Sequence, residues 1–243
     1  ATSLTIDGGD SAEAFAVEAD PDGGRANQGS FGGTAEASKS APPPGSPALA
    51  GVLTSSVTVT FSPVTADGYS VEAALGADFS GPVSSTTANA AVSQLSPQGL
   101  ASNTTYFVRA GAVYGANVNF STLTYSTATL AAAPVSAAPA VVNLSSAALT
   151  WGAAGNPGAT LYEAQASTDN FATVNFTSRT LLTSATFTAL AQNTTHYLRV
   201  RAVNHNAVGT LYAVSAATAT LAETPTAPGA VLFYSSASLT WGA

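Results

Sequence analysis

One phrase recurs at a fixed interval and constrains the fold more than any other feature of the chain. Ser145–Ala153 reads SSAALTWGA and Ser235–Ala243 reads SSASLTWGA, 90 residues apart. The same interval upstream, Ser55–Phe61 reads SSVTVTF, with Phe61 in the place of Trp151 and Trp241. In each copy apolar side chains alternate with small or polar ones: Val57, Val59, Phe61; Ala147, Leu149, Trp151; Ala237, Leu239, Trp241. Alternation of period two sends one set of side chains to a core and the other to solvent. A repeat of this length therefore predicts modules, each with an aromatic on one core strand.

The rest of the chain follows that period. Residues 1–40 are an acidic, Gly-rich leader, expected to be flexible by composition and to be held by a neighbouring chain where it is ordered. Module one covers 41–131 and module two 132–222; residues 223–243 hold a linker and the first two strands of an incomplete third module. Module one opens on the proline-rich Ala41–Pro47, read as an extended spacer. Its strands are expected at Val52–Leu53, Val57–Phe61, Tyr69–Ala73, two weak ones within Ser84–Leu95, Thr105–Val113 and Ser121–Leu130. In module two they fall at Val141–Leu144, Ala147–Trp151, Tyr162–Ala166, Phe171–Phe176, Arg179–Leu190, Thr195–Ala202 and Leu211–Leu221. Short runs at this spacing, without helical periodicity, predict tandem antiparallel β-sandwiches, an all-β chain of beads on a string.

A second pair of phrases sharpens the reading. Leu100-Ala-Ser-Asn-Thr-Thr-Tyr-Phe-Val-Arg-Ala-Gly-Ala112 aligns with Leu190-Ala-Gln-Asn-Thr-Thr-His-Tyr-Leu-Arg-Val-Arg-Ala202. With the second-strand aromatic, these phrases resemble the fibronectin type III module, through Leu100, Thr104, Tyr106, Arg109 and Ala112, and through Leu190, Thr194, Arg199 and Ala202. The resemblance implies an immunoglobulin-like sandwich whose Tyr makes a corner, its ring in the core and its hydroxyl on the backbone. Module two has His196 at that place; either its ring imitates the hydroxyl or Tyr197 takes over after a local shift. The expected structural core is Phe61, Trp151, Tyr106 and Tyr197. The resemblance leaves residues 1–40 unaccounted for.

Composition narrows the function classes. Only 8% of residues are charged, against about 25% in ordinary domains, so little repulsion separates copies. The net charge of −7 is concentrated in residues 1–40, which hold seven acids and two bases. No basic stripe exists to meet phosphates, which argues against a nucleic-acid partner. No apolar run approaches the roughly 18 residues of a membrane span. Cysteine and methionine are both absent, which is compatible with a secreted, surface-located product from which a signal peptide has been removed.

Little catalytic chemistry is legible, and the expectation is a chain that is not an enzyme and carries no cofactor. Of its two histidines, His196 occupies a structural position and His205 lies in a loop that the resemblance marks as a binding loop. Asp20 and Asp22 supply oxygen ligands of the kind calcium takes, without the full spacing of a calcium loop, so ordinary Asp/Gly turns are the expected reading. Tyr114, Phe120, Tyr125 and Tyr212 are read as sheet core, with an aromatic ledge for a glycan as the alternative. Five Asn-x-Ser/Thr sequons occur, at Asn103, Asn119, Asn143, Asn175 and Asn193. Asn103 and Asn193 fall in the turn of the repeated motif.

The third module suggests association. Val231, Leu232, Phe233, Tyr234, Leu239 and Trp241 are apolar strand residues for which the sequence supplies no remainder of a sandwich. Three readings stay open: a longer tandem array, strand exchange with another subunit along a sheet edge, or an arbitrary cut. The expectation is an extracellular structural protein whose modules self-associate into, or decorate, a surface filament, pilus-like fibre or sheath. The alternative is a spacer or ligand-binding array of a larger adhesin or of a secreted carbohydrate-active enzyme.

Overall fold

A computed structural model of the chain describes Gly9 and residues 40–242. The chain divides into two units, Ala1–Leu130 and Ala131–Ala243. In the first, β1 (Gly45–Val52), β2 (Val57–Ser62) and β5 (Gln94–Leu95) form one sheet in the order β1-β2-β5. The facing sheet runs β4 (Val83–Thr87), β3 (Gly68–Ala74), β6 (Thr105–Tyr114), β7 (Asn117–Phe120), and β8 (Tyr125–Ala128) pairs further along β6. The second unit repeats the plan. One sheet orders β13 (Ser184–Phe187), β10 (Ala147–Gly152) and β9 (Val135–Val142). The other orders β12 (Phe176–Thr180), β11 (Leu161–Ser167), β14 (Thr195–Val203) and β15 (Ala213–Val214), with β16 (Thr218–Ala219) also on β14. A separate hairpin joins β17 (Thr226–Leu232) to β18 (Ala237–Gly242).

The alternation in the repeated phrase builds both cores. Val57, Val59 and Phe61 face Tyr69, Val71, Ala73, Tyr106, Val108, Ala110 and Ala112 in the first unit. Ala147, Leu149 and Trp151 face Tyr162, Ala164, Ala166, Leu198, Val200 and Ala202 in the second. Alanines along the central strands leave room for the rings, which meet across the sheets. The Phe61 and Tyr69 centroids lie 4.7 Å apart, and those of Trp151 and Tyr162 lie 5.4 Å apart, the range of favourable aromatic contact.

Edge-strand geometry corrects several expected boundaries. β1 and β9 begin earlier than their apolar residues suggest, each through a register shift near its start. Pairing shifts register between Gly45 and Ala48 in β1, around Pro47. In β9 it shifts between Val135 and Ala138, around Ser136, and again between Pro139 and Val142, with Pro139 itself in register opposite Leu149. Ser46 and Ser136, 90 residues apart, both take positive φ at these irregularities, 45° and 52°. Proline without its N–H is tolerated at such edges. The proline-rich stretch is thus strand in part rather than a spacer only, and it is held to the first unit: the Tyr114 hydroxyl donates to the Pro42 carbonyl over 2.8 Å, and the Tyr125 hydroxyl donates to Pro47.

The expected strand at Phe171–Phe176 is also corrected. Asn170 and Phe171 take positive φ, and Asp169 gathers this stretch into a turn by accepting from the Thr173 amide and hydroxyl and from Ser167. Only Phe176 enters β12. The last strand of each module is broken into two short pieces, β7 and β8, then β15 and β16.

A threonine clamp closes each sandwich. The Thr129 hydroxyl donates to the Ala101 carbonyl at 2.7 Å and accepts from the Thr104 amide at 3.0 Å. Thr220 does the same with Ala191 at 2.6 Å and Thr194 at 3.1 Å. Both threonines are buried. Replacing Thr220 by the isosteric Val removes the partner of a part-buried amide and a part-buried carbonyl, and is expected to cost its module about 1 kcal/mol. Urea unfolding curves check this, followed by Trp151 fluorescence for Thr220→Val and, since the first unit has no tryptophan, by circular dichroism for the matched Thr129→Val.

Candidate assembly and binding surfaces

The β17–β18 hairpin has the local structure of the two complete modules without their burial. Its turn is closed by the Phe233 amide on the Ser236 carbonyl at 2.7 Å. The same bond joins Leu53 to Ser56 and Asn143 to Ser146. Yet Leu239 and Trp241 are 65% and 62% exposed, whereas their counterparts Leu149 and Trp151 are 0% and 6% exposed. Val231, Leu232, Phe233 and Tyr234 are exposed as well. In the complete modules the outer edge of this strand is taken: β13 pairs with Ala147–Thr150 of β10, and β5 pairs with Val59 and Thr60. Among the described residues no strand pairs with β18 on that side. Pro228 of β17 lies in the interval where register shifts, between Thr226 and Gly229.

The outer face of the second unit's larger sheet carries a row of charge. Glu163 on β11 stands opposite Arg201 on β14 and Arg179 on β12. Its carboxylate accepts from Arg179 and Arg201, each at 2.7 Å, and from the Tyr212 hydroxyl at 2.8 Å. Burial pushes the Glu163 carboxyl upward, but the Arg179 and Tyr212 bonds and the Arg201 charge outweigh it and hold the group below the ordinary carboxylate value. One register step away, Arg199 lies between the Phe171 and Tyr212 rings at 4.0 Å from each, and its Nε donates to the Gln165 side-chain oxygen over 2.9 Å. The first unit has the matching arrangement. Arg109 lies 4.0 Å from Phe79 and 3.8 Å from Phe120, bonded to Glu72 at 2.7 Å. Sequence reading noted both arginines as motif residues and missed the sandwiches, since each pair of rings comes from segments far apart in the chain.

The other sequence candidates separate. Phe61, Trp151 and Tyr106 are buried, and the Tyr106 hydroxyl accepts from the Ala101 amide at 3.0 Å. Tyr197 is a correction: β14 keeps its register, so His196 points into the second unit at 1% exposure while Tyr197 is on the other face, half-buried. Neither ring nitrogen of His196 has a protein partner, so the imidazole fills the tyrosine's space without reproducing its bond. His205 is exposed in a turn held by Asn204 Oδ1, which accepts from the Asn206 and Val208 amides. Phe120 and Tyr212 stack on arginines rather than entering the core, and Tyr114 packs against the first core. Asn103 is fully buried with φ 45° and Asn193 takes φ 46°, as one turn demands twice. Asp20 and Asp22 lie outside the described residues. Among the described residues no three His, Asp or Glu side chains gather as metal ligands, and no helix is long and apolar enough to cross a membrane.

Two antiparallel sandwiches in tandem, with a core aromatic on the second strand and a tyrosine corner in the first, define the immunoglobulin-like class. Comparison with solved structures places the fold within it. A two-domain fibronectin type III segment of chicken tenascin superimposes with a TM-score of 0.55 at 12% identity, covering 74% of this chain and 100% of that one. The first three such domains of chicken contactin-1 give a TM-score of 0.35 at 18% identity, over 76% of this chain and 69% of that one. The chain carries the fibronectin type III fold in tandem. No family model matches the sequence, and no curated protein is similar to it.

Because Glu163 is held below its ordinary value, its contribution to stability is complete above the unfolded value of about 4.3 and is lost as pH falls through the lowered one. The second unit is therefore expected to lose stability on acidification below about pH 4, and Glu163→Gln should flatten that dependence while lowering neutral-pH stability by about 1–3 kcal/mol. Unfolding followed by Trp151 fluorescence across pH checks both. His196→Tyr, by supplying a hydroxyl for the Ala191 amide, is expected to raise stability by about 1 kcal/mol in the same assay.

Proposed function

We propose that this chain is an extracellular structural protein whose fibronectin-type modules assemble into, or decorate, a surface filament, pilus-like fibre or sheath. The observation that carries the reading is the β17–β18 hairpin, a copy of two core strands whose large apolar side chains are uncovered among the described residues. Exposed apolar strands of this size mark association surfaces, and the edge of β18, unpaired among the described residues, offers main-chain donors and acceptors to an added strand. A surface with so few charges does little to keep copies apart. The reading assigns the chain no catalysis and no cofactor.

The near-identity of Ser145–Ala153 and Ser235–Ala243 favours a second reading, a spacer or ligand-binding array within a larger adhesin or a secreted carbohydrate-active enzyme. There the hairpin is covered by following residues of its own module, and His205 serves as a contact in an exposed loop. The two readings part on one measurement. Leu239→Ser with Trp241→Ser is expected to shorten or abolish polymers in electron micrographs and to leave the two complete modules folded by circular dichroism. Polymers of unchanged length sink assembly through the hairpin and favour the array.

A further inference from the structure

We infer that the Arg199 face of the second unit is a receptor for carboxylates of the acidic leader, residues 7–22, of a second copy of this chain. The inference rests on the self-association reading but concerns a different contact from the hairpin.

The two arginine sandwiches differ in the residue that bonds the guanidinium and in one of the two rings, Phe120 against Tyr212. In the first unit both Nε and a terminal nitrogen of Arg109 bond Glu72 Oε2, at 2.9 and 2.7 Å. Arg109 and Arg199 are 90 residues apart, and each is the cross-strand partner of the residue it bonds, Glu72 or Gln165. Gln165 thus stands where the first unit has a carboxylate. The guanidinium keeps its stack and its Nε bond and loses its counter-charge. Next to it, Glu163 is already shared by two arginines. Three guanidiniums on this face therefore have one carboxylate among the described residues, and Arg179 remains 65% exposed.

With Phe171 and Tyr212 on its faces, Arg199 is approachable only in its own plane, the geometry in which guanidinium takes a carboxylate through paired N–H bonds. The stack also fixes the side chain beforehand, so binding orders little more of it. Other described acids have local partners: Asp67 accepts from the Gly115 amide, Asp78 from Ser80, Asp169 from Thr173, and Glu223 from Gln192. The leader is the acid-rich segment left, with Asp7, Asp10, Glu13, Glu18, Asp20 and Asp22 and no base before Arg25. Contact between these unlike surfaces on successive copies propagates head to tail.

The cysteine-free chain allows a direct test. Full-length P21C copies mixed with full-length T177C copies, whose Thr177 is exposed and opposite Gln165, are treated with a short bis-maleimide linker. A cross-linked heterodimer is expected. Its yield should fall severalfold in about 0.5 M salt and with R199Q, and equally with Q165E, which restores the first unit's ion pair without removing the stack. No heterodimer, or a yield indifferent to salt, R199Q and Q165E, overturns the inference. So does cross-linking confined within single molecules of a P21C/T177C double variant, which puts the leader on its own chain. Loss of the cross-link with hairpin-dependent polymers intact defeats this contact alone; an intact cross-link with hairpin-independent polymers defeats the hairpin reading alone.

Discussion

Each sandwich depends on one buried contact, the ring of the repeated phrase against a tyrosine on the facing sheet. Phe61 on Tyr69 and Trp151 on Tyr162 span the gap between sheets whose central strands contribute many small side chains, valine and alanine among them. Small side chains alone would leave that gap open, and the interior tolerates few voids. The start of the same phrase anchors the corner motif: the Leu100 amide donates to the Ser55 carbonyl at 3.0 Å, and the Leu190 amide to Ser145 at 2.9 Å. The two phrases that repeat in the sequence thus repeat because they bond to each other. A change in either disturbs the strand that carries the aromatic and the turn that ends at the threonine clamp.

What was legible in the sequence follows from this. Period-two runs such as Val57–Phe61 and Tyr69–Ala73 announce strands because one face is buried without interruption. Edge strands do not, since the register shifts around Pro47 in β1 and around Ser136 in β9 are set by the pairing partner rather than by local propensity. Phe171 looked like a strand residue for its apolar ring, but Asp169 turns the backbone there and sends the ring onto Arg199. Tyr197 was a candidate for the core only if β14 slipped by one residue. A slip would also have turned Leu198 and Val200 outward, which settles the matter in favour of a buried imidazole. The arginine sandwiches were invisible for another reason: their rings come from loops and strands separated by dozens of residues, and stacking leaves no periodic trace.

In a chain with so few charges, the placement of each one carries meaning. The arginines of the described residues, Arg109, Arg179, Arg199 and Arg201, all lie on the outer faces of the larger sheets, in contact with a carboxylate, an amide or an aromatic ring. Solubility does not require that arrangement, and isolated surface ion pairs contribute little to stability. Stacking on rings orients the guanidiniums and covers aromatic surface that would otherwise be exposed. The exchange of Glu72 for Gln165 between otherwise matching sites converts a satisfied pair into an oriented positive charge. At this cross-strand position the two repeats differ in charge.

The hairpin shows that the repeated phrase fixes a strand and a turn but not a fate. Its local bonds match those of the complete modules, down to the Phe233–Ser236 turn, so propensity and register are already sufficient there. What differs is the facing sheet. A two-stranded hairpin alone is marginal in water, and burying side chains as large as Leu and Trp contributes about 1.5–3 kcal/mol each. Several such side chains uncovered on β17 and β18 make a strong drive to be covered, and it acts alike on strands that follow in the same chain and on those of a second copy. The edge beside Leu239 and Trp241, unpaired among the described residues, restricts the solution further, because a partner must bring a strand as well as an apolar face. That combined demand separates specific strand addition from general stickiness.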